Sequence, residues 1–154
     1  MNTPKRIASF EVNHDKITEG IYVSRIDGDI TTYDMRTRIP NSDDYMDNLT
    51  MHSFEHMFAT YIRSSQIGER VIYFGPMGCQ TGFYLLVRAA DNAETLCAVL
   101  DTLSRIISHE GEIFGKSRIE CGNYKNLDIE AARREAESYL RVLNGRENTF
   151  KYEE

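Results

Sequence analysis

The sequence predicts an α+β fold, in which a β-sheet packs against helices within a single domain that spans residues 1–154. Three segments with β-like patterns lie in the first third of the chain. Two more flank a glycine-rich turn near the middle of the chain. Two long stretches with helical periodicity follow. Because these strands do not alternate one by one with helices, a layered α+β arrangement is favoured over repeated βαβ units.

The predicted strands are short and are separated by turn residues. They lie at 7–12, 20–26, 30–36, 71–74 and 81–89. Asp27-Gly28 separates the second strand from the third and predicts a β-hairpin. The polar segment 40–44 then ends this region as a loop. The turn at 75–79 contains two glycines and a proline, so it breaks the strand pattern and can present a side chain to a cleft.

Three helices are predicted, at about 48–65, 92–109 and from 126 onward. Asn48 or Thr50 can cap the first helix, and Asn126 can cap the last. Apolar residues recur at helical spacing in the other two helices and predict one buried face for each: Leu96, Val99, Leu100, Leu103, Ile106 and Ile107, and Ala132, Ala136, Tyr139, Leu140 and Leu143. The segment 110–123 is expected to hold short β-like pieces, and the polar tail from about 145 is expected to be mobile.

Composition and charge exclude several functional classes. A net charge of -6 and the lack of a Lys/Arg cluster argue against nucleic acid as a partner. No apolar run approaches the roughly 18 residues that a membrane span needs, so no membrane association is expected. The first residues lead into no apolar signal segment, and a cytoplasmic location is therefore expected. In a reducing compartment, widely spaced cysteines indicate metal binding or catalysis rather than disulfides.

A histidine pair in the first predicted helix indicates a metal site. A helix turns about 100° per residue, so His52 and His56 lie one turn apart on one face, with Glu55 beside them. The opposite face carries an apolar stripe that anchors the helix: Phe54, Phe58, Tyr61 and Ile62. Cys121 is a third ligand of suitable softness for zinc or ferrous iron, and three ligands leave a fourth position open, as in catalytic sites. Taken alone, the pair is also compatible with two ordinary surface histidines.

Cys79, in the turn at 75–79, is the candidate reactive thiol. A thiol becomes a better base or nucleophile beside positive charge, and a divalent cation nearby would supply that charge. Cys97 lies in the second predicted helix next to Leu96 and Leu100, so we expect it to fill the core. The local sequence alone leaves a purely structural role for Cys79 open.

Five ordered motifs run almost from end to end of the chain and carry a family resemblance. They are SFEVNH at 9–14, YDMR at 33–36, HSFEH at 52–56, GPMGCQTGFY at 75–84 and ECGNY at 120–124. With these motifs the chain resembles the LuxS family of S-ribosylhomocysteine lyases. The HxxEH motif alone would be weak evidence, because it also occurs in inverted zinc peptidases.

The resemblance implies a reaction and a role for each matching residue. LuxS enzymes cleave the thioether of S-ribosylhomocysteine to homocysteine and 4,5-dihydroxy-2,3-pentanedione, the precursor of the quorum-sensing signal autoinducer-2. The matching positions imply three metal ligands (His52, His56 and Cys121), two acid/base residues (Cys79 and Glu55) and three residues that help to hold the substrate (Ser9, His14 and Arg36).

The resemblance also implies a cofactor and an assembly. LuxS enzymes hold one divalent metal per subunit, so Fe²⁺ is expected here, and Zn²⁺ or Co²⁺ can replace it. The family fold is an antiparallel sheet packed with helices, and family members are homodimers whose two sites draw residues from both chains. One departure is Tyr73, which stands where many family members carry an acidic residue, so a hydrogen bond or charge near the substrate is supplied differently in this chain.

Two other functions are compatible with the metal ligands. A metallopeptidase with the inverted HxxEH motif would use Glu55 to activate a zinc-bound water. That function leaves Cys79 without a role, and such enzymes usually recruit a carboxylate where this chain has Cys121. A non-catalytic metal-stabilised domain would use the ion only to tie Cys121 to the histidine helix, and it would need neither Glu55 nor Cys79.

Overall fold

Within residues 3–153, which the computed structural model describes, four strands form one antiparallel sheet in the order β1-β2-β4-β3. They are β1 (Gly20–Asp27), β2 (Ile30–Arg36), β3 (Val71–Pro76) and β4 (Gly82–Arg88). The central strands pair without interruption, from Ile30 opposite Arg88 to Arg36 opposite Gly82. This register places Arg36, at the end of β2, beside the turn that joins β3 to β4. The predicted α+β class with an antiparallel sheet is confirmed.

The hairpin of β1 and β2 is confirmed as well, with a two-residue turn at Gly28-Asp29. Gly28 has a φ of 61°, a left-handed conformation that glycine adopts at little cost. The turn fixes the register in which Tyr22 lies opposite Asp34. These two side chains therefore lie on the same face of the sheet.

The described residues form four α-helices: α1 (Ala8–Glu11), α2 (Asn48–Arg63), α3 (Asn92–Ile107) and α4 (Ile129–Asn144). Aspartates cap the three long helices, because the carboxylates of Asp47, Asp91 and Asp128 accept backbone N–H groups of the first turn. The caps predicted at Asn48 or Thr50 and at Asn126 are therefore wrong. In each case a nearby aspartate has the extended backbone that a cap requires. No helix among the described residues is long and apolar enough to span a membrane.

Two segments predicted as strands are not strands. The first, 7–12, contains α1, where the Phe10 N–H donates to the Ile7 carbonyl at 3.0 Å, so its backbone bonds locally instead of to the sheet. The second, 110–123, consists of turns. Gly111 and Gly115 have φ values of 96° and 70° there, which a continuous strand excludes.

One face of the sheet packs against the helices, and aromatic rings fill the boundary. Phe54 and Phe58 of α2 meet Phe74 of β3 and Phe83 of β4, with ring centroids 4.4 to 6.2 Å apart. All four rings are buried. The predicted apolar stripe of α2 is thus confirmed for both phenylalanines and for Ile62. Burial of this stripe fixes the rotation of α2 and turns its histidine face away from the sheet.

Two predictions about exposure are wrong. Cys97 is exposed instead of filling the core, because it lies about 200° around α3 from the buried Val99. The C-terminal tail is packed instead of loose. Phe150 is only 8% exposed, and its carbonyl accepts the Val23 N–H at 2.8 Å along the free edge of β1.

Candidate functional site

α2 presents two histidines to a cysteine from the segment that precedes α4. One ligand atom from each of His52, His56 and Cys121 lies within 4.8 Å of the other two. Nε2 of His52 is 3.4 Å from Sγ of Cys121, and the two imidazole rings meet edge to face with their centroids 4.6 Å apart. The three predicted metal ligands therefore come together in the fold.

Backbone carbonyls fix the orientation of both imidazoles. Nδ1 of His52 donates to the Asn126 carbonyl at 2.9 Å, and Nδ1 of His56 donates to the Phe114 carbonyl at 2.8 Å. Because a carbonyl oxygen can only accept, each Nδ1 carries the ring proton, and each Nε2 is left with a free lone pair. This arrangement is typical of histidines that bind metals.

The donor set fits a divalent transition metal. Ligand atoms around a tetrahedral zinc lie about 3.5 Å apart, because Zn–N bonds are about 2.0 Å and Zn–S bonds about 2.3 Å. The 3.4 Å between His52 Nε2 and Cys121 Sγ matches this spacing. The Asn123 N–H donates to the same sulfur at 3.4 Å. Two imidazoles and one sulfur suit zinc or ferrous iron and leave a fourth coordination position for water or substrate.

Gly115 lies against the ring of His56. A Cβ added at this position would be 2.8 Å from Nδ1 and 3.1 Å from Cε1 of His56, and the φ of 70° disfavours any other residue. The glycine therefore allows the loop to approach the ring closely enough for the Phe114 carbonyl to accept the Nδ1 proton.

We expect Gly115→Ala to weaken binding of Zn²⁺ by about 10- to 100-fold, the usual effect of disturbing a group that orients a metal ligand. The added methyl must displace either the His56 ring or the loop. Competition with a chromogenic chelator measures the affinity. Gly122→Ala is the matched control, because a Cβ there meets nothing within 4 Å although the residue adjoins Cys121. Equal affinities for the two variants would contradict the prediction.

Glu55 directly precedes His56 on α2 and is half-buried. Successive residues on a helix are about 100° apart, so the Glu55 carboxylate projects from the flank of the histidine face. Proton transfer beside the metal ligands is the chemistry that a carboxylate at this position can perform.

Cys79 opens onto a separate cavity of 340 Å³. Residues from α1, β2, β4 and the β3–β4 turn line this thiol pocket, among them Ser9, His14, Arg36, Cys79 and Tyr84. The Cys79 sulfur is 3.1 Å from the Thr81 hydroxyl and 3.9 Å from Nη1 of Arg36. The fold therefore brings together the predicted thiol and the three predicted substrate-binding residues.

A buried ion pair holds the Arg36 guanidinium in the thiol pocket. Nε and Nη2 of Arg36 donate to the two oxygens of Asp34 at 3.0 and 2.7 Å, and Nη1 donates to the Thr81 hydroxyl at 2.8 Å. Asp34 and Arg36 are each 2% exposed. Burial opposes the positive charge, but the hydrogen bonds and charge of Asp34 outweigh it and raise the pKa of Arg36 above its usual value. Arg36 is thus a fixed cation beside the thiol.

Within one chain the metal ligands and the thiol pocket lie on different sides of the fold. Side chains alternate along β2, and Tyr33 and Met35 face the helix-covered core, so Asp34 and Arg36 face the other side of the sheet. The histidines lie on the side of α2 away from the sheet. Among the described residues, neither cavity lined by Cys79 includes a metal ligand.

Comparison with known proteins identifies the family. The family model for LuxS, S-ribosylhomocysteinase, matches residues 7–149. An S-ribosylhomocysteine lyase of Borreliella afzelii is 39% identical over 155 residues, which cover 96% of this chain and 99% of the relative. Another, of Finegoldia magna, is 42% identical over 144 residues, which cover 90% of this chain and 92% of the relative. The chain belongs to the LuxS family.

The resemblance predicted from the five motifs is thereby confirmed, because all five lie within the residues that match the LuxS model. The relatives are named as lyases, so they give no support to a metallopeptidase or a non-catalytic domain. The roles of the individual residues stay predictions.

Two residues that contact the lining of the LuxS thiol pocket are not among the predicted site residues. Asp34 holds Arg36, and Thr81 contacts both Arg36 and Cys79. The sequence did contain a signal for Asp34, because residues two apart on a strand point to the same face. Thr81 follows Cys79 by two residues, but a positive φ of 66° at Gln80 bends the chain there, and no strand pattern predicts that bend.

Tyr73, the departure from the usual LuxS pattern, is 51% exposed on β3. It lines a second cavity, of 400 Å³, together with Ser9 and Tyr84, which also line the thiol pocket. A Cβ at Gly75 would collide with the Tyr73 ring, so the glycine makes room for it. Tyr73 therefore lies next to the thiol pocket, and the cavity that it lines adjoins this pocket at Ser9 and Tyr84.

Proposed function

We propose that this chain is a metal-dependent lyase that cleaves the thioether of S-ribosylhomocysteine to homocysteine and 4,5-dihydroxy-2,3-pentanedione, the autoinducer-2 precursor. One observation carries the proposal. In this chain of the LuxS family, His52, His56 and Cys121 lie close enough to hold one metal ion, and Arg36 lies beside the Cys79 thiol in a separate pocket. Relatives that cover nearly the whole chain are named S-ribosylhomocysteine lyases.

The substrate determines which chemistry the residues must perform. Its carbon–sulfur bond is not adjacent to a carbonyl, so the sulfur cannot leave directly. The carbonyl of the open-chain sugar must first move along the carbon chain until the bond lies β to it. Each move requires a proton to leave one carbon and another to arrive at its neighbour. The enzyme therefore needs two positioned acid/base groups and a means of making sugar carbons acidic.

We propose His52, His56 and Cys121 as the ligands of one divalent cation per subunit. When bound, the cation polarises sugar oxygens and so acidifies the adjacent carbons. Fe²⁺ is the proposed native ion, and Zn²⁺ or Co²⁺ can replace it, because two imidazoles and a thiolate suit all three.

Cys79 and Glu55 are the proposed acid/base residues. Cys79 transfers the proton between C1 and C2 in the first move, and the Arg36 guanidinium lies 3.9 Å from its sulfur. Glu55 removes the proton at C3 and assists the elimination that releases homocysteine. Its position next to His56 supports this role, because it lies beside the cation ligands without being one of them.

Ser9, His14 and Arg36 are the proposed substrate-binding residues. All three line the thiol pocket. Nδ1 of His14 donates to the Val12 carbonyl at 2.9 Å, so Nε2 is left as an acceptor for a substrate hydroxyl. Ser9 and Arg36 supply donors, and a polyhydroxylated substrate needs both kinds of partner.

We further propose that the active enzyme is a homodimer with two sites at the interface. The separation of the metal ligands from the thiol pocket by α2 and the sheet supports this proposal, because a second protomer can bring its own thiol pocket to the first protomer's cation. Exposed apolar side chains in the thiol pocket and in the cavity next to it offer a surface for that contact: Phe10, Ile7 and Tyr73.

The proposed function predicts that the purified protein releases a free thiol from synthetic S-ribosylhomocysteine. A chromogenic disulfide reagent follows the release. Treatment with a chelator should abolish the rate, and added Fe²⁺ or Zn²⁺ should restore it, because the proton transfers depend on the cation. A peptide substrate of a metalloprotease is the negative control. Peptide hydrolysis without thiol release, or thiol release that persists in the metal-free protein, would refute the proposal.

A further inference from the structure

The C-terminal tail, residues 145–153, wraps around the free edge of β1. Phe150 anchors it on the core side, where its ring meets Tyr33 edge-on with centroids 6.0 Å apart. The Phe150 carbonyl accepts the Val23 N–H at 2.8 Å, which ties the tail to the strand edge. The tail therefore has a defined position relative to β1 and β2.

Tyr152 lies on the opposite face of the sheet. Its ring stacks on Tyr22, with centroids 4.9 Å apart and an interplanar angle of 21°. Its hydroxyl donates to Oδ2 of Asp34 at 2.7 Å. Tyr33 and Asp34 are successive residues of β2 and point to opposite faces, so the tail contacts both sides of the same strand.

The Asp34 carboxylate accepts three hydrogen bonds. Two come from Arg36, and the third comes from Tyr152. A carboxylate that is 2% exposed requires such partners, because a buried oxygen without a donor costs free energy. Burial and the charge of Asp34 raise the pKa of Tyr152, so its hydroxyl stays protonated and keeps donating at neutral pH.

We propose that Tyr152 is a positioning residue for Arg36, acting through Asp34. The hydrogen bond from Tyr152 fixes the rotation of the Asp34 carboxylate, and the carboxylate fixes the guanidinium plane that carries Nη1 to Thr81 and towards Cys79. The inference rests on the proposed function in one respect, because it takes Arg36 to contact the substrate. The tail would then set the geometry of a site that it does not itself enter.

Tyr152→Phe removes only the hydroxyl and keeps the ring that stacks on Tyr22. Asp34 then keeps both hydrogen bonds from Arg36 but loses the bond that ties this ion pair to the tail, so the pair can shift as a unit and carry Nη1 away from Cys79. We expect KM for S-ribosylhomocysteine to rise by about five- to tenfold. This is less than the full loss of a hydrogen bond to a charged group, because the effect reaches the substrate only through Asp34 and Arg36. The metal content should not change.

A second readout does not depend on lyase activity. Iodoacetate is an anion and iodoacetamide is neutral, so nearby positive charge speeds alkylation by iodoacetate more than alkylation by iodoacetamide. The alkylation ratio, defined as the iodoacetate rate divided by the iodoacetamide rate at one thiol, therefore reports the positive charge beside that thiol. Mass spectrometry of the Cys79 peptide gives this ratio for one cysteine alone. We expect the alkylation ratio to fall at least twofold in Tyr152→Phe. Arg36→Met removes the cation itself, so it gives the lowest ratio that loss of this charge can produce.

Tyr33→Phe is the matched control, because it also removes a buried tyrosine hydroxyl that donates to a side-chain oxygen, Oδ1 of Asn92 at 2.8 Å. That bond lies on the core face, so KM and the alkylation ratio should stay at wild-type values. Unchanged values in Tyr152→Phe would overturn the inference, and so would equal changes in both variants. If the wild type released no thiol at all, the proposed function would fail, and the alkylation ratio would still decide the role of Tyr152.

Discussion

Replacing Cys79 with alanine, or Glu55 with glutamine, is expected to lower turnover of S-ribosylhomocysteine by about 10²- to 10⁴-fold, the contribution of a positioned acid or base. Neither side chain belongs to the cluster of His52, His56 and Cys121, so both variants should keep the wild-type metal content. Initial rates of thiol release and metal analysis of the same samples test the prediction.

Cys97→Ala is the matched control for Cys79→Ala. Cys97 is also an exposed cysteine, but it lies on α3, outside the metal cluster and the thiol pocket, so its loss should leave the rate unchanged. A peptidase would need Glu55 and not Cys79. Full activity of Cys79→Ala would refute the proposed proton transfer, and loss of metal from either variant would assign that residue a structural role instead.

Local patterns made part of this fold predictable. The hairpin was readable because β2 alternates between core and outer face around a glycine turn, and α2 was readable because Phe54, Phe58 and Ile62 recur at helical spacing. The helix caps were harder to predict, because several Asp, Asn and Thr residues precede each helix and only the backbone conformation selects one of them.

The parts of the site that depend on backbone atoms were not predictable. Phe114 and Asn126 hold the two histidines through their carbonyls, and any residue type carries a carbonyl. The prediction of short β-like pieces at 110–123 is wrong, because the shape of this segment follows from positive φ values at Gly111 and Gly115 instead of a periodic pattern. The family motifs nevertheless indicate Cys121 as a candidate metal ligand, because a motif match depends on the order of residue types and not on the conformation of the loop.

The packing of the tail depends on contacts between residues far apart in sequence. Polar composition after Asn144 is typical of a loose end, yet two aromatic side chains, Phe150 and Tyr152, find partners on β1 and β2. Those partners become neighbours only after the sheet forms. A sequence pattern alone could not place a tyrosine at position 152 beside a carboxylate at position 34.

A mixed dimer of two variants can distinguish an active site that is shared between two protomers from one that lies within a single chain. In a mixed dimer, one protomer carries Glu55→Gln and its partner carries Cys79→Ala. If each site takes Glu55 from one protomer and Cys79 from its partner, one site contains both substitutions and the other contains neither. Two inactive proteins would therefore combine to give one intact site per dimer.

We expect such a mixed dimer, coexpressed with two different tags and purified by both, to recover about half of the wild-type rate. A dimer of one wild-type protomer and one protomer carrying both substitutions is the reciprocal control. Each of its sites holds one defective residue, so it should be inactive. A site built within one chain reverses both results, because the first dimer would then have no intact site and the second would have one. Thiol release from the two dimers, measured at equal metal content, distinguishes the arrangements.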